Sequence, residues 1–133
     1  MEEKAEIKQV SEREIWIGEN KLYLDEDNIY YIVTVGDIDE KIAIAIKEAT
    51  NKLDNMVEGK VRRLINLNKG GKQSVSARKT WKELAESENI GKIALFGLNP
   101  VARMVAAFGA GLFKKKDMRF FNTEEEARAW LKE

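Results

Sequence analysis

The alternation of apolar and polar positions divides the chain into strands first, then strands and helices by turns. EIWIG (14–18) and KLYL (21–24) flank Gly18-Glu19-Asn20 and predict a hairpin over about 14–24. NIYYIVTV (28–35) is rich in β-branched and aromatic residues and predicts a strand that ends at Gly36-Asp37. Asp37 with Glu40 has the form of a capping box, with Asp in the usual Ser/Thr position. The helix it opens runs to about Met56, with Ile38, Ile42, Ile46, Ala49, Leu53 and Met56 on one face. VRRLINL (61–67) predicts a strand, and KGGKQSVS a loop after it. A helix from near Ser74 to about Ser87 turns Ala77, Trp81, Leu84 and Ala85 inward.

KIALFGL (92–98) is almost continuously apolar, as in a strand covered on both faces. Asn99-Pro100 then supplies a capping Asn and a first-turn Pro for a helix loosened at Gly109 and Gly111. DMRFF (117–121) predicts a last strand. Thr123 and Glu126 form a capping box for a closing helix with Ala127, Trp130 and Leu131 on its inner stripe. Such an order predicts one α/β domain over 1–133, a mixed, mostly parallel sheet flanked by about four helices.

Composition limits the chemistry. The 133 residues are 44% hydrophobic and 35% charged, the balance of a globular domain. No apolar run approaches the ~20 residues of a membrane span, and the charged start MEEKAEIKQV does not read as a signal peptide. A cytoplasmic location is the expectation. Without His or Cys, the chain lacks a thiol nucleophile, a Ser-His relay and the common zinc ligands. No metal spacing and no cofactor motif stand out, and a non-enzymatic role is expected.

The formal net charge of zero conceals segregation. Residues 1–59 carry 15 acidic and 7 basic side chains, 7 − 15 = −8. Residues 60–82 carry eight basic ones and no acid: Lys60, Arg62, Arg63, Lys69, Lys72, Arg78, Lys79 and Lys82. Such a block is either a solvated face offset by acidic neighbours or a positive field for phosphates or an acidic partner. The opposite charges can meet within one chain or between two, so a monomer and a homodimer both satisfy the balance. Aromatic residues are not interleaved with the block in sequence, which argues against specific nucleic-acid binding.

Two segments carry candidate function. In KGGKQSVS, the residues Lys69, Gly70, Gly71, Lys72 and Arg78 are candidates for binding an anion or a partner at a helix start. A nucleotide P-loop is excluded: with Gly71-Lys72 as its G-K, Asn66 replaces the first Gly and Gln73 the Ser/Thr. In NPVARMVAAFGAGLF (99–113), the residues Val101, Met104, Val105, Phe108, Leu112 and Phe113 are either core or an apolar surface for a partner or lipid. Lys114, Lys115 and Lys116 stand at its rim.

The segments NIYYIVTVGDIDEKI…ATNKL, VRRLINL and KIALFGLNPVARMVAAFGAGLFKKKDMRFFNTEEEARAWL together resemble the STAS-like, or SpoIIAA-like, family over about 28–132. The resemblance implies a non-enzymatic regulatory domain that binds another protein. In anti-sigma-pathway members a partner kinase phosphorylates a serine in a D-S-[ST]-G loop, which corresponds here to Ser74-Val75-Ser76-Ala77. The Asp is absent, Val75 separates the serines and Ala77 replaces Gly, so Ser74 and Ser76 are both candidate acceptors. Similarity of such folds to CRAL-TRIO carriers implies the alternative, a small-ligand or lipid-binding domain.

Overall fold

The alternating and the continuous apolar segments take different places in one sheet. The computed structural model describes residues 6–85, 90–97 and 118–133. Strands β2 (Glu14–Ile17) and β3 (Asn20–Leu24) bury every second side chain, whereas β4 (Ile29–Ile38) opens on four consecutive buried residues. Together with β1 (Ile7–Ser11), β5 (Val61–Gln73), β6 (Ile90–Phe96) and β7 (Met118–Phe121) they form a seven-stranded sheet in sequence order. The pairings from β1 to β4 are antiparallel, and those from β4 to β7 are parallel.

The expected hairpin is thus part of a three-stranded ribbon. Its extra strand, β1, is exposed along its whole length and so carries no apolar alternation to announce it. With β1 included, parallel and antiparallel pairings are equal in number, three each, where the sequence suggests a mostly parallel sheet.

Three helices stand among the described residues, against about four expected: α1 (Glu40–Asp54), α2 (Val75–Ala85) and α3 (Glu124–Leu131). The expected helix from Asn99 lies outside the described residues, and with it the surface at Val101, Met104, Val105, Phe108, Leu112 and Phe113. No helix of the described residues is long and apolar enough to cross a membrane.

Helix α1 begins later than its sequence suggests. Asp39, not Asp37, is its N-cap, in extended conformation with its side chain accepting the Ile42 amide at 2.9 Å. Asp37 remains in β4, which continues through Gly36 because that glycine pairs with Gly70 of β5. Ile46, Ala49 and Leu53 face inward as the spacing requires. Met56 lies past the C-cap Asn55 and is exposed. At α3 the expected cap is present: the Thr123 hydroxyl accepts the Glu126 amide at 3.2 Å.

Each sheet face carries a core. Ala77 of α2 and Ile46 and Leu53 of α1 pack on Ile15, Leu22 and Ile32. On the other face, Ala127, Trp130 and Leu131 of α3 pack on Tyr31, Leu64 and Phe96. The first core contains an ion pair, Arg63 Nη2 to Asp54 Oδ2 at 2.8 Å, with residue exposures of 3% and 5%. The Tyr30 ring lies 5.4 Å from the guanidinium, and the Tyr30 hydroxyl meets Thr50 Oγ1 at 2.6 Å. Arg63 Nε and Asp54 Oδ1 have no hydrogen-bond partner.

Candidate functional site

The parallel half of the sheet ends unevenly. Pairing of β5 with β6 reaches only Asn66–Phe96, whereas pairing of β4 with β5 continues to Ile38–Gln73. The segment Lys69–Gln73, expected as a loop, is therefore strand. It forms a two-stranded ribbon with Val35–Ile38 at the carboxyl ends of the parallel strands, where open α/β sheets commonly place their ligands.

Glycines make this ribbon, but not as turn residues. Neither Gly70 nor Gly71 has a positive φ. Each instead permits close approach. A Cβ on Gly71 would stand 2.8 Å from the carbonyl carbon of Gly36 and 2.9 Å from the Asp37 nitrogen, inside any normal contact. A further bulge lies between Val33 and Val35, where Asn68 donates its amide to Asn66 Oδ1 at 3.0 Å.

Ribbon and helix meet at Ser74. Its amide donates to the Ile38 carbonyl, its hydroxyl accepts the Ala77 amide at 3.0 Å, and its carbonyl accepts the Arg78 amide. Ser74 therefore caps α2, half-buried, and the helix leaves the Val75 and Ser76 amides without intrahelical partners. Ser76 is also half-buried, and its carbonyl accepts the Thr80 hydroxyl. Val75 between them is 75% exposed. Trp81 Nε1 donates to Gln73 Oε1 at 2.7 Å and fixes the helix against the strand it follows.

The structure brings together Lys69, Gly70, Gly71, Lys72, Ser74, Ser76 and Arg78 at this junction, with both lysines and Arg78 exposed. Lys79 and Lys82 stay with Arg78 on α2, while the strand part of the basic block disperses, because successive strand residues face opposite ways. Arg63 enters the first core. Arg62 donates to the Asp27 carbonyl at 2.6 Å and to the Leu131 carbonyl at 3.3 Å, closing the C-terminal end of α3. Lys60 stands before the opposite end of β5. Exposed Asp37, Asp39 and Glu40 lie beside the junction on the β4–α1 turn, so its positive charge is partly offset.

The face under α3 holds a second polar group. The Tyr31 hydroxyl donates to Glu124 Oε1 at 2.7 Å and receives Asn66 Nδ2 at 3.2 Å. Arg128 pairs with Glu124 at 2.8 Å and with Asp25 at 2.7 Å. Burial pushes the Glu124 carboxyl upward, but the bonds from Tyr31 and Arg128 outweigh it and leave the group below its usual value. Burial, followed by the Glu124 bond, raises the Tyr31 phenol. One face of the Tyr23 ring stacks on Tyr31 at 5.3 Å, and Lys21 lies over the ring at 4.6 Å.

Sequence reasoning missed Asp37 and Thr34. Asp37 reads as a helix cap and Thr34 as ordinary strand, and only the β4–β5 register, which no local pattern encodes, sets them against the glycines.

A mixed sheet with α1 and α2 on one face and α3 on the other, carrying a strand-to-helix junction at its carboxyl edge, defines an α/β domain of the STAS-like kind. The chain belongs to the SpoIIAA-like family, whose model matches residues 29–132. Its fold is similar to the crystal structure of an uncharacterized protein from the DUF3478 family, described as SpoIIAA-like, from Shewanella loihica PV-4. The TM-score is 0.66 at 15% identity, over 84% of this chain and 91% of that one. No curated protein matches the chain.

Proposed function

We propose that this chain is a non-enzymatic regulatory module that binds another protein through the β5–α2 junction, with a phosphate on Ser74 or Ser76 as its switch. The observation that carries the reading is the junction itself: the ribbon outruns the sheet and presents Lys69, Lys72, Arg78 and the exposed Val75 around two serines. Membership of the SpoIIAA-like family supports a binding role over a catalytic one.

A phosphate there adds about −1.5 to −2 charges at neutral pH, next to cations and a helix N-terminus that both favour it. It also adds charge beside Asp37 and Asp39. Modification therefore redistributes the local field strongly, as a switch in partner affinity requires.

Two measurements test the reading. Affinity capture from native lysate should recover a partner that is lost with Lys72→Glu and Arg78→Glu together; retention of every partner by that variant removes the surface assignment. Intact-mass analysis of native protein should show a phosphate on Ser74 or Ser76, and a chain that is always unmodified removes the switch. Native mass spectrometry showing a co-purified acyl lipid instead would replace this reading with that of a small-ligand carrier.

A further inference from the structure

The Asp37 carboxylate is bound where an incoming anion would be expected to sit. Its Oδ1 accepts the Lys72 backbone N–H at 2.7 Å, although both residues are exposed to water. Gly71 makes the approach possible, since any side chain there would collide with Gly36 and Asp37. One residue earlier, Gly70 faces the Thr34 hydroxyl, which is 5% exposed and has no hydrogen-bond partner; a Cβ on Gly70 would stand 3.3 Å from it. The segment Lys69–Lys72 therefore already holds an oxyanion on a backbone N–H, close to a buried polar atom without a mate. That oxyanion belongs to the chain itself.

We infer that Lys69–Lys72 is an oxyanion site held closed by Asp37, open to a phosphate or carboxylate group only when Asp37 leaves the Lys72 amide. The inference rests on the reading of the junction as the binding surface and adds its regulation. A tethered carboxylate competes at high effective concentration. The closed form admits external anions poorly.

The test is a titration of the full chain with inorganic phosphate at constant ionic strength, followed by amide NMR at Gly71 and Lys72. Asp37→Ala should respond saturably, at least about tenfold more tightly than the native chain, the scale of one charge-assisted hydrogen bond. Glu40→Gln removes an equal charge without touching Lys72 and should change little. Asp37→Asn keeps only a neutral acceptor for the Lys72 amide and should fall between the native chain and Asp37→Ala. Acetate in place of phosphate separates a carboxylate ligand from a phosphoryl one, and a saturable response to either supports the site.

Equal tightening by Glu40→Gln, or no response in Asp37→Ala, overturns the inference. So does free hydrogen exchange of the Lys72 amide in the native chain, a measurement that needs no variant. Partner capture that still depends on Lys72 and Arg78 would leave the binding surface standing while the closure by Asp37 fell.

Discussion

Replacing Arg63 by Met leaves Asp54 as an unpaired carboxylate inside the first core. Arg63 lies on β5, next to the middle strand of the sheet, with one charge-assisted bond of 2.8 Å to Asp54 of α1 and the Tyr30 ring 5.4 Å from its guanidinium. Burial pushes the Asp54 carboxyl up and the Arg63 guanidinium down, each opposed by its partner, so losing one partner leaves the other's desolvation uncompensated. Removing one partner of such a pair costs about 3–5 kcal/mol. That is a large part of the ~5–15 kcal/mol that holds a domain of this size. With a urea slope of about 1–3 kcal/mol/M, the unfolding midpoint should fall by roughly 1–5 M.

The double replacement Arg63→Met with Asp54→Leu removes both charges and both open bonding positions, Arg63 Nε and Asp54 Oδ1. It should recover most of the loss, because an apolar isostere of a buried pair is often neutral or stabilising. The assay is equilibrium urea unfolding of the native chain, both single variants and the double variant, read as a cycle. A single-variant loss below about 1 kcal/mol would place the pair in a wet, high-dielectric site and refute the reasoning.

The other predictions concern the ribbon, the cap and the α3 face. Gly71→Ala should cost about 1–3 kcal/mol by overpacking against β4 and should free the Lys72 amide, whereas Gly70→Ala meets the Thr34 hydroxyl at 3.3 Å and the Leu67 carbonyl oxygen at 3.5 Å and should cost clearly less; urea unfolding and hydrogen exchange compare them. Ser74→Ala removes the α2 cap and should cost about 1 kcal/mol by thermal or urea unfolding, while Ser76→Ala should be nearly silent. Glu124 sits below its usual value of 4.5 in the folded chain, so it contributes stability that is present above pH 4.5 and lost as pH falls through its folded value. Glu124→Gln should flatten that acid limb in a stability–pH series, and an unchanged limb would deny the Tyr31 and Arg128 contacts.

Much of the fold is legible in the sequence where one side of an element alone decides it. The 14–24 hairpin, the inner stripe of α3 and its Thr123 cap follow from alternation and capping chemistry. Gly70 and Gly71 misled for a physical reason, whereas Gly36 holds a positive φ of 73° with open space around it. A glycine that ends a strand and a glycine that lets two parallel strands close together look alike until their register is known. The basic block divided for a similar reason: adjacent Arg62 and Arg63 face opposite ways and spend their charge on α3 and on Asp54. Counting charge along the chain cannot see that. What survived at the junction is a smaller positive group, with acidic neighbours contributed from a different segment.

The β5–α2 junction is the surface proposed to meet a partner. Quantitative affinity capture should compare the native chain, Lys72→Glu with Arg78→Glu, and Lys60→Glu at the far end of the same strand. The junction variant should lose the partner while Lys60→Glu keeps it. Retention by both variants, or equal loss in both, would contradict it.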